Sequence, residues 1–251
     1  MIFIGSAGWN IPRAHKTRFP SEGSQLQRYA ARLNAAEINT SFYRSHAPEI
    51  YARWAAAVPA GFRFAVKMPK TISHERRLAR CREPLDRFLS DVRALGATLG
   101  PLLLQLPPSF AFDARRAGRF FEVLRARHEG PVVCEPRHAT WTSPAAARLL
   151  TTFRVARVAA DPPRAAGLDE PSGWPGLVYF RWHGSPRTYF SPYAAEQIDD
   201  LAVKLTRAGV TAWCIFDNTG SGSAAANALD LRGRAAPDRD GWPRPKTDSH
   251  G

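Results

Sequence analysis

Eight short apolar runs, separated on average by about thirty residues and nearly all followed by a segment with helical periodicity, constrain this chain more than any other feature. They are Ile2 to Gly5, Ala35 to Asn39, Arg63 to Lys67, Leu102 to Leu106, Val132 to Glu135, Val155 to Asp161, Leu177 to His183 and Ala212 to Asp217. Between them, Leu26, Tyr29, Ala30 and Leu33 recur at i, i+3, i+4 and i+7, Ile50 and Trp54 share a face of 48–57, and Leu85, Phe88, Leu89 and Val92 form a stripe behind Pro84. Asp113 and Ser143-Pro144 are helix-start signals. Ser191-Pro192 opens a longer helix with Ile198, Leu201 and Leu205 inward, which Gly209 stops, and Ala224 to Leu231 supplies a closing helix. The connection from Pro162 to Pro175 is too rich in Pro and Gly for much helix. Repeated strand and helix units in this number predict an α/β fold, a single (β/α)8 TIM-type barrel. A doubly wound sheet would carry Gly-x-Gly-x-x-Gly after its first strand, and Gly5-Ser6-Ala7-Gly8 does not complete that pattern.

With 251 residues and 44% apolar content, one domain over 1–231 is expected, followed by a disordered tail over 232–251, where Pro, Arg, Gly and Asp dominate. The opening run Met1 to Gly5 is too short for a signal peptide and no run approaches a membrane span, so a cytoplasmic protein without membrane contact is expected. Cys81, Cys134 and Cys214 lack metal-ligand spacing and read as reduced core thiols. The formal charge is +13, of which the tail holds only +2, so the excess belongs to the fold. Arginine outnumbers lysine heavily, and a solvated surface explains the charge as well as a nucleic-acid surface does.

In a barrel the chemistry sits at the C-terminal ends of the strands. The fifth run shows why this matters: apolar Val132, Val133 and Cys134 give way at once to Glu135, Arg137 and His138, then Trp141. Ionisable residues at the tip of a strand buried on both faces point to a ligand. The other ends supply Trp9 and Asn10; Glu37, Asn39 and Tyr43; Lys67 and His74; Gln105; Asp161; Arg181 and His183; Asp217 and Asn218.

These residues resemble the YecE-like barrel family, known as domain of unknown function 72. The resemblance rests on Gly8-Trp9, Glu37 to Tyr43, Phe64 to Lys67, Ser73-His74, Gln105 to Pro108, Glu135 to His138 with Trp141, Arg181 to Gly184 and Phe216 to Asn218. It covers the chain from its first strand to about Leu231. The resemblance implies a TIM-type barrel and no established reaction. Pro136 stands where the family commonly has an aromatic, Asp217 where Asn is usual, and Asn10, Ile11 and His15 where more aromatic side chains are the rule. Asp217 adds negative charge to the mouth.

The residues support an enzyme, of hydrolase or isomerase type, using acid/base chemistry on a small or nucleotide-sized anionic ligand. Glu135, its pKa raised by partial burial, and His183 transfer protons, Lys67 and Arg181 stabilise negative charge, and Asp217 and Asn218 orient the substrate. Structural roles compete for each: Glu135 as ion-pair partner of Arg137 or Arg181, Lys67 as a rim lysine, and Glu37 with Asn39 and Tyr43 as a structural network. Trp9, Phe42, Trp141 and Trp182 are either an aromatic wall or packing. Ligand-binding candidates are Trp9, Asn39, Tyr43, His74, Gln105, Arg137, His138, Trp141, Arg181, Asn218 and Ser221. Two stretches point to an anion: the basic run from His74 through Arg77 to Arg80 and Arg82, and Asn218 to Ser223, whose free backbone N–H groups and hydroxyls would cradle a phosphate. Glu135, His138, His183 and Asp217 have the ligand types for a divalent metal but no tight spacing for one. The alternative class is a non-catalytic nucleotide or nucleic-acid binder, and a phosphodiester hydrolase would join the two.

Overall fold

The computed structural model describes residues 1–235. In chain order the elements are β1 (Ile2–Ala7), α1 (Gln25–Ala30), β2 (Ala35–Ile38), α2 (Pro48–Ala56), β3 (Arg63–Lys67), α3 (Arg82–Val92), β4 (Leu99–Gln105), α4 (Ala114–Arg125), β5 (Val132–Glu135), α5 (Pro144–Thr152), β6 (Val155–Arg157), β7 (Ala159–Asp161), β8 (Ser172–Gly173), β9 (Leu177–Trp182), α6 (Ala195–Arg207), β10 (Thr211–Phe216) and α7 (Ser223–Ala235).

From β1 through β6 each strand pairs in parallel with the next, and β10 joins β1 to β9. The sixth run is one strand broken at Val158. Its first half, β6, pairs with β5 and its second half, β7, with β9. Through this hand-over the sheet comes round into an eight-membered parallel barrel, as the spacing of apolar runs predicts. The two-residue β8 lies antiparallel on β6.

Because side chains alternate along a strand, each strand feeds two cores. Inward positions, among them Phe3, Ala65, Leu103, Val133, Tyr179 and Trp213, fill the barrel. Outward positions such as Ile4, Phe64, Leu104 and Cys134 pack with the helices. Gly5 is obligatory in this arrangement, since a Cβ there would lie 1.9 Å from the carbonyl oxygen of Ala35 on β2.

The helices start largely where their caps predict. Ser143 accepts from the Ala146 N–H and Asp113 from the Arg116 N–H. Two starts differ: α3 begins at Arg82, two residues before Pro84, and α6 begins at Ala195, not at Ser191-Pro192. Tyr193 holds the preceding segment out of the helix, its hydroxyl accepting from the Gly184 N–H at 2.8 Å and donating to Asp161 Oδ1 at 2.8 Å, while its own N–H donates to Asn227. α7 runs through Ala235, so residues 232–235 of the expected tail are helical, and 236–251 lie outside the described residues. All three cysteines are buried and unpaired. No helix among the described residues is long and apolar enough to cross a membrane.

Candidate active site at the barrel mouth

The alternation that fills the barrel floor with apolar side chains turns polar at the last inward position of each of five strands. Inward positions then carry Glu37 on β2, Lys67 on β3, Gln105 on β4, Glu135 on β5 and Arg181 on β9, with His183 and Asp217 just past β9 and β10. Arg181 is the hub. Its Nε and Nη2 donate to both oxygens of Glu37 at 2.8–3.2 Å, Nη1 reaches Glu135 Oε2 at 3.2 Å, and Nη2 lies 3.0 Å from Asp217 Oδ2. The ring of His183 bridges two carboxylates, with Nε2 3.0 Å from Glu135 Oε1 and Nδ1 3.1 Å from Asp217 Oδ2. An imidazolium donates to both partners, a neutral ring to one. Gln105 donates to Glu135 Oε2 at 2.9 Å, and Arg137 approaches Oε1 at 3.4 Å.

Burial is the largest influence on Glu135 and pushes its pKa up, but the charges of Arg181, His183 and Arg137 outweigh it and hold the carboxyl well below its ordinary range. Glu135 is thus a fixed carboxylate, the reverse of the raised acid that its strand-tip position suggests. Burial likewise raises Asp217, and Arg181 followed by the His183 hydrogen bond brings it below its ordinary value.

Lys67 stands apart. Its side chain is 6% exposed, yet among the described residues Nζ has no hydrogen bond and no ion pair; it lies 4.2 Å from the centroid of the Phe42 ring. Burial, then the neighbouring Arg181, lowers its pKa to about 8, against the pull of Glu37, Glu135 and Asp217. The strand end that carries it is pinned by Ser41, whose hydroxyl donates to the Lys67 carbonyl at 2.6 Å. His74 stacks edge-on to the same Phe42 at 5.0 Å, and burial together with Lys67 and Arg137 lowers its pKa.

The structure therefore brings together Lys67, Gln105, Glu135, Arg137, Arg181, His183 and Asp217, with His74 beside them. The other candidates lie elsewhere. Trp9 packs on Trp54 and Phe64, and Trp141 is core, its indole N–H donating to the Phe110 carbonyl. His138 caps the turn of residues 139–142, its Nδ1 accepting from the Thr140 N–H. Tyr43 is 73% exposed against the edge of Phe42. Glu37 engages Arg181 and Tyr179, not Asn39 or Tyr43, and Asn39 Oδ1 is buried without a hydrogen bond. Several donors of the 218–223 loop are engaged by other protein groups: Asn218 Nδ2 binds Ser191 and Asn227, the Gly220 N–H binds Tyr189, the Gly222 N–H binds Thr219, and Ser221 Oγ binds Phe190 and Ser223. That segment anchors the 187–191 loop, and the Ser221 hydroxyl is taken up in doing so.

A family model described as protein of unknown function DUF72 matches residues 3–249. The chain belongs to the DUF72 family. The UPF0759 protein YecE of Escherichia coli K12 is 36% identical over 110 residues, covering 44% of this chain and 39% of that relative, so the match spans about two fifths of its length. A DUF72 family protein of Enterococcus faecalis V583 has a similar solved structure, with a TM-score of 0.81 at 23% identity, covering 99% of this chain and all of the other. A DUF72 family protein of Thermotoga maritima MSB8 gives 0.75 at 23% identity over 92% and 98% of the two chains. These likenesses establish the barrel.

In this DUF72 chain Glu135, His183 and Asp217 meet at the mouth without forming a metal site, and His138, the fourth proposed ligand, does not join them. His138 is turned to its cap, Arg181 stands among the three carboxylates, and both nitrogens of His183 face carboxylate oxygens. No group of three or more His, Cys, Asp and Glu among the described residues is arranged for a metal ion. Sequence reasoning missed Tyr179, whose hydroxyl donates to Glu37 Oε2 at 3.1 Å, and Tyr189, which stands edge-on over His183 at 5.7 Å. Tyr179 is two positions before Arg181, so strand alternation alone would have found it. Tyr189 comes from a loop, where sequence carries no such rule. A small cavity of about 10 Å³, room for about one water, lies beside Glu135 and His183 and is also lined by Arg164 and Thr188.

Proposed function

We propose that this DUF72 protein is an enzyme that carries out acid/base chemistry on a small anionic ligand at the barrel mouth. The observation that carries the reading is Lys67, a residue only 6% exposed whose amine has no ion pair or hydrogen bond among the described residues, beside a network in which the neighbouring charges are paired. A structural role gives such a group a partner, because an unpaired buried charge is costly. Lys67 and Arg137 supply positive potential for the ligand's anionic group, and the neutral His74 ring beside them can donate a hydrogen bond to it. His183, between Glu135 and Asp217, exchanges protons with the reacting part, and Arg181 holds the carboxylates in place. Three buried, unpaired cysteines suit a reducing compartment such as the cytoplasm.

The test is a thermal-shift series with inorganic phosphate, sugar phosphates and nucleotides on the wild type and on Arg137→Met and Lys67→Met. A ligand that binds only the folded state raises its melting temperature. Stabilisation of the wild type that both substitutions abolish supports the reading; equal shifts in all three proteins reject it.

A second reading, nucleic-acid binding, draws on a different surface. A cleft of about 400 Å³ between the segment before α3 and the face of α4 is lined by Arg80, Arg82, Arg115, Arg116 and Arg119 against one acid, Asp113. Oligonucleotide binding that weakens steeply with salt and is lost in Arg115→Glu/Arg119→Glu would favour it.

A further inference from the structure

We propose that Lys67 is a nucleophile: its ε-amine adds to the carbonyl carbon of a small anionic aldehyde or ketone and holds it as an imine. This rests on the reading of the mouth as an anion site and adds to it the chemical class of the substrate.

The geometry separates Lys67 from every other charged group at the mouth. Glu37, Glu135 and Asp217 are each engaged by Arg181, and Glu135 and Asp217 by His183 as well. None of the three reaches Lys67 Nζ, and the guanidinium they surround repels a proton placed there. An ammonium in that position has no carboxylate of the described residues within ion-pair distance. A neutral amine has no such difficulty, and its lone pair is what a carbonyl carbon needs. Lys70 and Lys204, by contrast, are half exposed and paired with Glu75 and Glu170. The face of Phe42 covers one side of the Lys67 amine at 4.2 Å; it attracts the ammonium form and so works against the burial and the Arg181 charge that lower the pKa. Arg137 and His74 stand nearby to meet a carboxylate or phosphate on the same substrate.

The step balances without a redox partner. The amine lone pair forms the C–N bond while the carbonyl π pair moves to oxygen, which takes up a proton as nitrogen gives one up. The resulting carbinolamine then loses its hydroxyl as water, with one proton delivered to the leaving oxygen, and nitrogen closes the C=N bond. His183, flanked by Glu135 and Asp217, is the proton carrier at the mouth. The imine so formed withdraws electrons from the adjacent carbon, which suits proton abstraction there, in keeping with acid/base chemistry.

The chain has five lysines, Lys16, Lys67, Lys70, Lys204 and Lys246, so the site of reaction is easily mapped. The experiment treats the full-length protein with glyoxylate, a two-carbon anionic aldehyde, and separately with acetaldehyde, its uncharged counterpart, each with cyanoborohydride, and follows modification by peptide mass mapping. At pH 8 the larger free-amine fraction at Lys67 is expected to make glyoxylate label it about tenfold faster than the exposed lysines. Acetaldehyde should show little such preference, and inorganic phosphate should protect Lys67. Labelling of Lys67 no faster than that of Lys70 and Lys204 would overturn the proposal. If phosphate still raises the melting temperature in that event, the anion site survives and only the nucleophile is lost. Preferential labelling of Lys67 by both aldehydes, with no stabilisation by any anion, would instead keep the nucleophile and reject the anionic substrate. Lys70→Arg serves as the control and should leave labelling of Lys67 unchanged.

Discussion

Arg181 and Glu37 face one another across the barrel axis, with Nη2 2.8 Å from Oε1 and Nε 3.1 Å from Oε2, and neither side chain has any solvent exposure. They are 144 residues apart in sequence, so the pair forms only once β2 and β9 occupy the same barrel. Around it the other carboxylates are arranged by the remaining donors of the same guanidinium. A buried pair adds little stability against an apolar alternative, but breaking it from one side is expensive.

Arg181→Met is therefore expected to destabilise the protein by about 3–5 kcal/mol, since three carboxylates are left facing an apolar side chain. Urea unfolding measures this. The double variant Arg181→Met/Glu37→Gln should recover part of the loss, because the most deeply buried of the stranded charges is then removed. A double variant as unstable as the sum of its parts would deny the coupling.

Lys67→Met is expected to do the opposite. The folded state lowers the Lys67 pKa from 10.5 to about 8, so the folded protein sheds this proton more readily than the unfolded chain. Below about pH 8 the charged lysine opposes folding by the whole difference, and the cost fades as pH rises through 10.5. Removing it should stabilise the protein at pH 7 by about 1–3 kcal/mol while abolishing anion binding, a trade typical of active-site groups. Urea midpoints at pH 7 and pH 10 provide the check: the gain should shrink at the higher pH.

The division between what the sequence discloses and what it hides follows the physics of each feature. The barrel was legible because period-2 strands and 3.6-period helices leave local signatures, and the inward polar tips Glu135, Arg181, His183 and Asp217 follow from alternation at the ends of those strands. The sign of the Glu135 pKa shift was not, because it depends on Arg181, which arrives from another strand. Trp141 and His138 look like site residues because they follow the Glu135 strand, yet a single 3-10 turn after Pro136 directs one to the core and the other to a cap. Ser221 failed for a different reason: a Gly/Ser loop signals donors, but only tertiary structure shows that the 187–191 loop engages several of them.

Acidification should unfold the wild type partly through the mouth. Glu135 sits well below 4.5 and Asp217 below 3.8 in the folded protein, so the stability they contribute is present above those values and is lost as pH falls towards the lowered folded ones. Glu135→Gln removes the larger part of that dependence. Its melting temperature should start lower at pH 7 and fall less steeply below about pH 4.5 than that of the wild type. Parallel curves for the two proteins would assign the acid sensitivity to other carboxylates.

His138 offers a contrast with Arg137 next to it. As a cap of the turn of residues 139–142, His138→Ala should cost about 1 kcal/mol of stability. It should leave phosphate-dependent thermal shifts intact, whereas Arg137→Met should abolish them. Loss of those shifts in His138→Ala would return His138 to the ligand site.

Gly184 is where β9 hands His183 over to the mouth loop, and its φ of +98° lies where side chains other than glycine are strained. A Cβ at this position would also meet the Ser191 carbonyl oxygen at 2.8 Å and the Asn218 Cβ at 3.0 Å, contacts that neither the 187–191 loop nor β10 can relieve without moving. The Gly184 N–H is held by the Tyr193 hydroxyl, and a shift of the backbone here is passed to the adjoining His183. Gly184→Ala is accordingly expected to cost about 1–3 kcal/mol and to lengthen the contacts of His183 with Glu135 and Asp217. If these contacts orient the proton carrier, the variant loses phosphate-independent reactivity at Lys67 towards glyoxylate more than its modest loss of stability accounts for. A labelling rate at Lys67 that matches the wild type at temperatures well below unfolding would show that His183 takes no part in forming the imine.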